Sequence, residues 1–226
     1  MSLRARRFSK ERHVVLVGLA LATAGCVGLE LVRERHFDGY GFRFLLWNLF
    51  LAWIPFLLAL FVYDRYRRGT TFGRLVPALA LWLLFLPNAP YIVTDFVHLS
   101  PGGIPPLWFD GVLVSAFAWT GMLLGFVSLY LVHAVARHRF GDAVGWIGVV
   151  GVLALVSAGV FLGRVKRWNS WDVLTQPRSL LAQLHVSVTD PATLTKGVIV
   201  TCATTVALGL AYLVFYALMD ARLARD

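Results

Sequence analysis

The sequence predicts an all-α polytopic membrane protein, a bundle of about six transmembrane helices forming a single transmembrane domain over residues 1–226. Three observations carry that expectation. First, the chain is 58% hydrophobic and 15% charged, with mean hydropathy +0.71. A soluble domain carries about 25% charged and about 45–50% apolar residues. Second, six apolar segments, roughly 14–32, 44–63, 75–92, 111–133, 143–163 and 197–218, approach the length that crosses a bilayer. Their unbroken apolarity excludes barrel strands, which would alternate. Third, thirteen Lys and Arg fall on one side of these spans and eight on the other. The richer side faces the cytoplasm, so both termini are expected there. The net charge of +9 is then an orientation signal, and no nucleic acid is expected as a partner.

Residues 1–13 form a basic cytoplasmic N-terminus with Arg4, Arg6, Arg7, Lys10 and Arg12. The first span contains "TAGC" (23–26), which has the layout of a lipoprotein signal. Thr23 replaces the usual aliphatic residue and the apolar run continues past Cys26, so the segment is read as a retained helix. Cys26 and Cys202 both sit in apolar segments, which excludes a disulfide framework. Glu30 and Arg33 close the first span and read as a surface pair, with Arg43 on the same side. Asn48 projects into the second span.

The third span holds the most unusual stretch, "LPNAPYIVTDFVHLSPGGIPPLWFDG" (86–111), with five prolines, two Asp, a His and no Lys or Arg. From Arg74, residues 75–86 rise only about 18 Å at 1.5 Å per residue. Pro87 and Pro90 therefore fall inside the bilayer, and a break of the helix there is expected. Broken backbone at that depth must be buried in protein or line a wet cavity. On a helix of 100° per residue, Asn88, Tyr91, Asp95 and His98 fall within an arc of about 80°. Trp108 and Asp110 read as interfacial residues of the aromatic belt. Gly121 and Gly125 in the fourth span, and Gly159 and Gly163 in the fifth, have the four-residue spacing of an internal packing face.

The fifth loop, 164–196, carries five basic residues on the outer side and is long enough to fold over the bundle with short amphipathic helices. "NSWD" (169–172) fits a capping box that opens a short helix, and Pro177 closes it. Asp190 before Pro191 reads as an N-cap followed by a first-turn proline. The sixth helix is thus expected to begin outside the bilayer.

Ionisable groups at membrane depth are costly and mark functional sites. Asp95, His98 and Asp172 are the candidate catalytic groups, with Asp95 or His98 as general base. Asn48, Asn88, Tyr91, Arg164, Arg167, Asn169 and Trp171 are the candidate binding residues. The planar forks of Arg164 and Arg167 suit a phosphate or carboxylate. Three convincing His or Cys ligands are absent from the pattern, so no metal and no cofactor is expected.

"LPNAPYIVTDFVHL" together with "GRVKRWNSWDVLTQP" (163–177) resembles a bacterial membrane-protein family known as domain of unknown function 1361, over about residues 40–218. The resemblance implies a multi-pass protein of the bacterial inner membrane with these two motifs as its signature. It implies no activity. The first functional expectation is binding of, or chemistry on, an anionic amphiphile or lipid headgroup at an outward-facing polar site. The alternatives are a transporter of a small solute, favoured by the broken helix, and a non-catalytic scaffold.

Overall fold

The computed structural model describes residues 3–37, 41–100, 105–166, 172–179, 182 and 189–224. In chain order the helices are α1 (Leu3–His36), α2 (Arg43–Arg67), α3 (Phe72–Phe85), α4 (Asn88–Tyr91), a 3-10 helix (Ile92–His98), α5 (Leu107–Phe140), α6 (Asp142–Lys166), α7 (Asp172–Thr175) and α8 (Pro191–Ala224). No strand occurs among the described residues. Six helical stretches are long and apolar enough to cross a membrane: Arg12–His36, Arg43–Arg67, Phe72–His98, Leu107–Phe140, Asp142–Arg164 and Pro191–Asp220. Each coincides with one expected span. This is a multi-pass membrane protein.

Helix ends follow local chemistry. Gly69 (φ +86°) and Gly141 (φ +90°) take the left-handed conformation that a Cβ disfavours. Their amides bond back to the Tyr66 and Arg137 carbonyls, closing α2 and α5. At the start of α8, Asp190 Oδ2 accepts the Thr193 amide hydrogen at 3.0 Å and Pro191 is the first helical residue, as its sequence predicts. α1, α5 and α8 each have 34 residues, or about 51 Å at 1.5 Å per residue. That exceeds the hydrocarbon thickness of about 30 Å, so these helices extend beyond it. Leu21, Trp119, Ile147 and Leu218 are each more than 60% exposed, the surface that lipid covers.

The chain divides into two compact units, Met1–Trp53 with Asn88–Leu124, and Ile54–Pro87 with Gly125–Asp226. In the first unit the core is built from Leu19, Cys26, Leu45, Leu49, Ala52, Ile92, Leu113 and Phe117. Two polar contacts lie inside it: the Trp53 indole donates to Thr23 Oγ1 at 3.1 Å, and Cys26 Sγ lies 3.4 Å from Thr120 Oγ1. Cys26 is thus a packed core residue of α1. Gly121 is a close-approach position, since a Cβ there would lie 2.8 Å from the Ala89 carbonyl oxygen and 2.8 Å from Ile92 Cδ1.

In the second unit α6 packs along α8, with Gly197 admitting the Phe161 ring. Gly159 admits Pro87, whose Cγ would be 2.8 Å from an added Cβ. Gly121 and Gly159 therefore serve as the packing positions their spacing suggests. Trp82 Nε1 donates to Ser128 Oγ at 2.7 Å, and Ser128 donates to the Pro55 carbonyl at 3.1 Å. One hydroxyl joins α2, α3 and α5.

Candidate functional site

After α3 ends at Phe85, Leu86 and Pro87 form a turn, α4 makes one helical turn and the chain tightens into seven residues of 3-10 helix. A 3-10 helix repeats every three residues, so i and i+3 share a face. Ile92, Asp95 and His98 therefore lie in one row. This differs from the expected stripe, which assumed α-helical rotation: Asp95 and His98 share the 3-10 row, and Tyr91 belongs to α4 before it. Tyr91 and Asn88 are half-buried, and the Tyr91 carbonyl accepts the Thr94 hydroxyl at 2.7 Å.

Asp95 is 1% exposed. Asn48 Nδ2, from α2, donates to its Oδ2 at 2.9 Å. The His98 side chain is 43% exposed, and its Nδ1 lies 3.8 Å from Asp95 Oδ1. The same Nδ1 lies 3.2 Å from the Asp95 backbone carbonyl. A carbonyl can only accept, so this contact places the hydrogen on Nδ1 and leaves the lone pair on Nε2. Phe44 braces the ring at a centroid distance of 4.9 Å. The result is a buried carboxylate, bonded by an amide, behind a half-exposed imidazole whose Nε2 carries the lone pair.

The same unit holds a second charged group at the end of α1. Arg33 and Glu30 are 6% and 1% exposed, which corrects the reading of a surface pair. Arg33 instead forks onto Asp110 of α5, with Nε to Oδ1 at 2.8 Å and a terminal nitrogen to Oδ2 at 3.3 Å. Its guanidinium lies 4.5 Å from the Phe42 ring centroid. Asp110 is therefore half of a tertiary ion pair, and Trp108 is exposed. Arg43 donates to Glu34. Neither oxygen of the Glu30 carboxyl has a hydrogen-bond partner.

The other expected site residues belong to the second unit. Arg164 is half-buried in the last turn of α6, and Asp172 opens α7, where its carbonyl accepts the Gln176 amide at 2.8 Å. Arg167, Asn169 and Trp171 lie outside the described residues, as does the capping role of Asn169. Among the described residues no three His, Cys, Asp or Glu side chains converge as a metal ion would require.

One constellation escaped the sequence reading. His133, for which the sequence offers no local partner, is 2% exposed in the second unit. Its Nδ1 lies 3.0 Å from the Tyr212 hydroxyl and its ring packs against Trp146 at 4.7 Å. Arg137, one turn on, bonds the Tyr216 hydroxyl and, at 2.6 Å, Asp142. The partners lie on other spans, so only aromatic enrichment at the ends of three helices hints at the cluster.

No curated protein and no solved structure matches the chain. A family model described as a protein of unknown function, DUF1361, matches residues 47–216. The match covers about three quarters of the chain. It includes Asn48, Asp95, His98, Asp110 and the 164–172 stretch, and leaves Glu30 and Arg33 outside it. The chain belongs to the DUF1361 family of proteins of unknown function.

Proposed function

We propose that this integral membrane protein binds the polar headgroup of an anionic amphiphile and performs acid–base chemistry on it, with both termini cytoplasmic and the site facing outwards. The observation that carries the reading is the arrangement of Asn48, Asp95 and His98. A carboxylate 1% exposed behind an imidazole 43% exposed divides two roles between two side chains. His98 Nε2 accepts a proton from a headgroup hydroxyl or from water. Asp95, 3.8 Å from Nδ1, offsets the positive charge that the ring then carries. Asn48 is thereby a positioning residue for Asp95, where the sequence suggested contact with substrate.

Arg33 and Arg43 are paired to Asp110 and Glu34. Separately, on their chemistry in the sequence alone, Arg164 and Arg167 are proposed to bind an anion, and the neighbouring Trp171 is a residue type suited to the boundary of tails and headgroups. The test is native mass spectrometry of the protein purified with its lipids. Wild type and His98→Gln should retain an anionic amphiphile, and Arg167→Lys should lose it because the fork is gone while the charge remains. Equal retention in wild type, Arg167→Lys and Arg167→Ala would refute the binding role.

A further inference from the structure

We propose that Glu30 is a binding site for a small monovalent cation, a proton or a sodium ion, which Glu34 helps to complete. The inference does not depend on the headgroup reading. Glu30 is 1% exposed and neither carboxyl oxygen accepts a hydrogen bond. A bare buried carboxylate is among the costliest states a protein can hold, and it is relieved only by a positive charge or a donor.

Among the described residues, the charged groups around it are Arg33 and Glu34 on α1, Arg43 on α2 and Asp110 on α5. Arg33 forks onto Asp110 and Arg43 bonds Glu34. Two cations face two other carboxylates, so the charge on Glu30 is the one left over. One positive charge balances the cluster.

Space sets the size of what can bind. A Cβ on Gly41 would lie 2.4 Å from Glu30 Oε1 and 3.1 Å from Glu34 Oε1. Both oxygens thus approach one point on the glycine, and they are at most 5.5 Å apart. A proton needs no room at all, and a dehydrated sodium ion fits only where the two oxygens lie closer than this upper limit. A divalent metal is disfavoured, since no third His, Cys, Asp or Glu ligand converges among the described residues. The absence of a side chain at residue 41 is what lets the main chain close over the carboxyl.

The experiment follows thermal unfolding of the full chain in detergent, against pH at fixed sodium and against sodium at fixed pH. A ligand held only by the folded chain raises the folded-to-unfolded ratio up to tenfold for each tenfold rise in its concentration. If the cation is a proton, stability falls as pH rises, because the folded chain holds a proton that the unfolded chain releases. If it is sodium, stability rises with sodium. In Glu30→Gln, a neutral isostere, the response that wild type shows should vanish. Wild type that responds to neither variable, or Glu30→Gln that responds as wild type does, overturns the proposal. Should Glu30→Gln fail to fold, Glu30→Asp keeps the acid but withdraws it by one methylene. Its titration midpoint should then shift about tenfold or more, and an unmoved midpoint overturns the proposal equally.

Discussion

Replacing Gly121 by alanine would put a methyl group 2.8 Å from the Ala89 carbonyl oxygen and 2.8 Å from Ile92 Cδ1. A carbon–oxygen contact normally sits at about 3.3–3.6 Å, so the neighbours must retreat by about half an ångström. Ile92 can turn part of its side chain away, but the Ala89 oxygen is backbone in a turn bounded by Pro87 and Pro90. Overpacking of this kind costs about 1–3 kcal/mol, against about 1 kcal/mol gained when alanine replaces a helical glycine. The clash wins, by about 1 kcal/mol. Gly148, with nothing within 4 Å of an added Cβ, isolates the propensity term. Gly148→Ala should be neutral or up to about 1 kcal/mol more stable. The two variants should then unfold about 2–8 °C apart, at about 2–4 °C per kcal/mol for a chain of this size. Thermal unfolding of the two purified proteins, read by circular dichroism, measures the gap. Equal midpoints would show that Gly121 is no close-approach point and that the Asn88–His98 segment is not held against α5 in this way.

Other expectations follow from the same contacts. Gly41→Ala should destabilise more than Gly28→Ala, because its Cβ meets Glu30 Oε1 at 2.4 Å while that of Gly28 meets nothing; paired unfolding curves check it. Ser128→Ala strips the acceptor from the Trp82 indole and the donor from the Pro55 carbonyl; it should cost about 1–3 kcal/mol. Ser157→Ala is its control, since the buried Ser157 hydroxyl has no partner and its loss should be neutral or stabilising. An engineered cysteine at Ser187 should react with a membrane-impermeant thiol reagent from outside the cell, and one at Arg222 should not. The reverse pattern would overturn the orientation and the outward-facing site together.

Hydropathy made the six spans legible because lipid exposure rewards apolar residues continuously along a helix, whatever its neighbours are. Cap chemistry was equally local, and so Asp190 and Pro191 announce α8. The site was legible only in part. Asp95, His98 and Asn48 stood out as polar residues at membrane depth, but 47 positions separate Asn48 from Asp95, and no local pattern states that they bond. The 3-10 winding of Ile92–His98 was hidden as well. Prolines announce that a helix is disturbed, not how the chain rewinds. Glu30 and Arg33 were misjudged for a related reason: burial at a helix end depends on which loop returns over it, and Gly41, which closes on the Glu30 carboxyl, carries no side-chain signal. His133 was missed because its partner Tyr212 lies 79 residues away.

The central claim is that His98, backed by Asp95, moves a proton on an amphiphile headgroup. Its most direct test is the amphiphile profile of membranes from a host lacking the protein, complemented with wild type, His98→Gln or Asp95→Asn. The account predicts that one anionic amphiphile accumulates without the protein and is consumed by wild type. It should still accumulate with His98→Gln, and fall only partly with Asp95→Asn. Identical profiles for wild type, His98→Gln and the empty host, with each protein present at equal level, would contradict it.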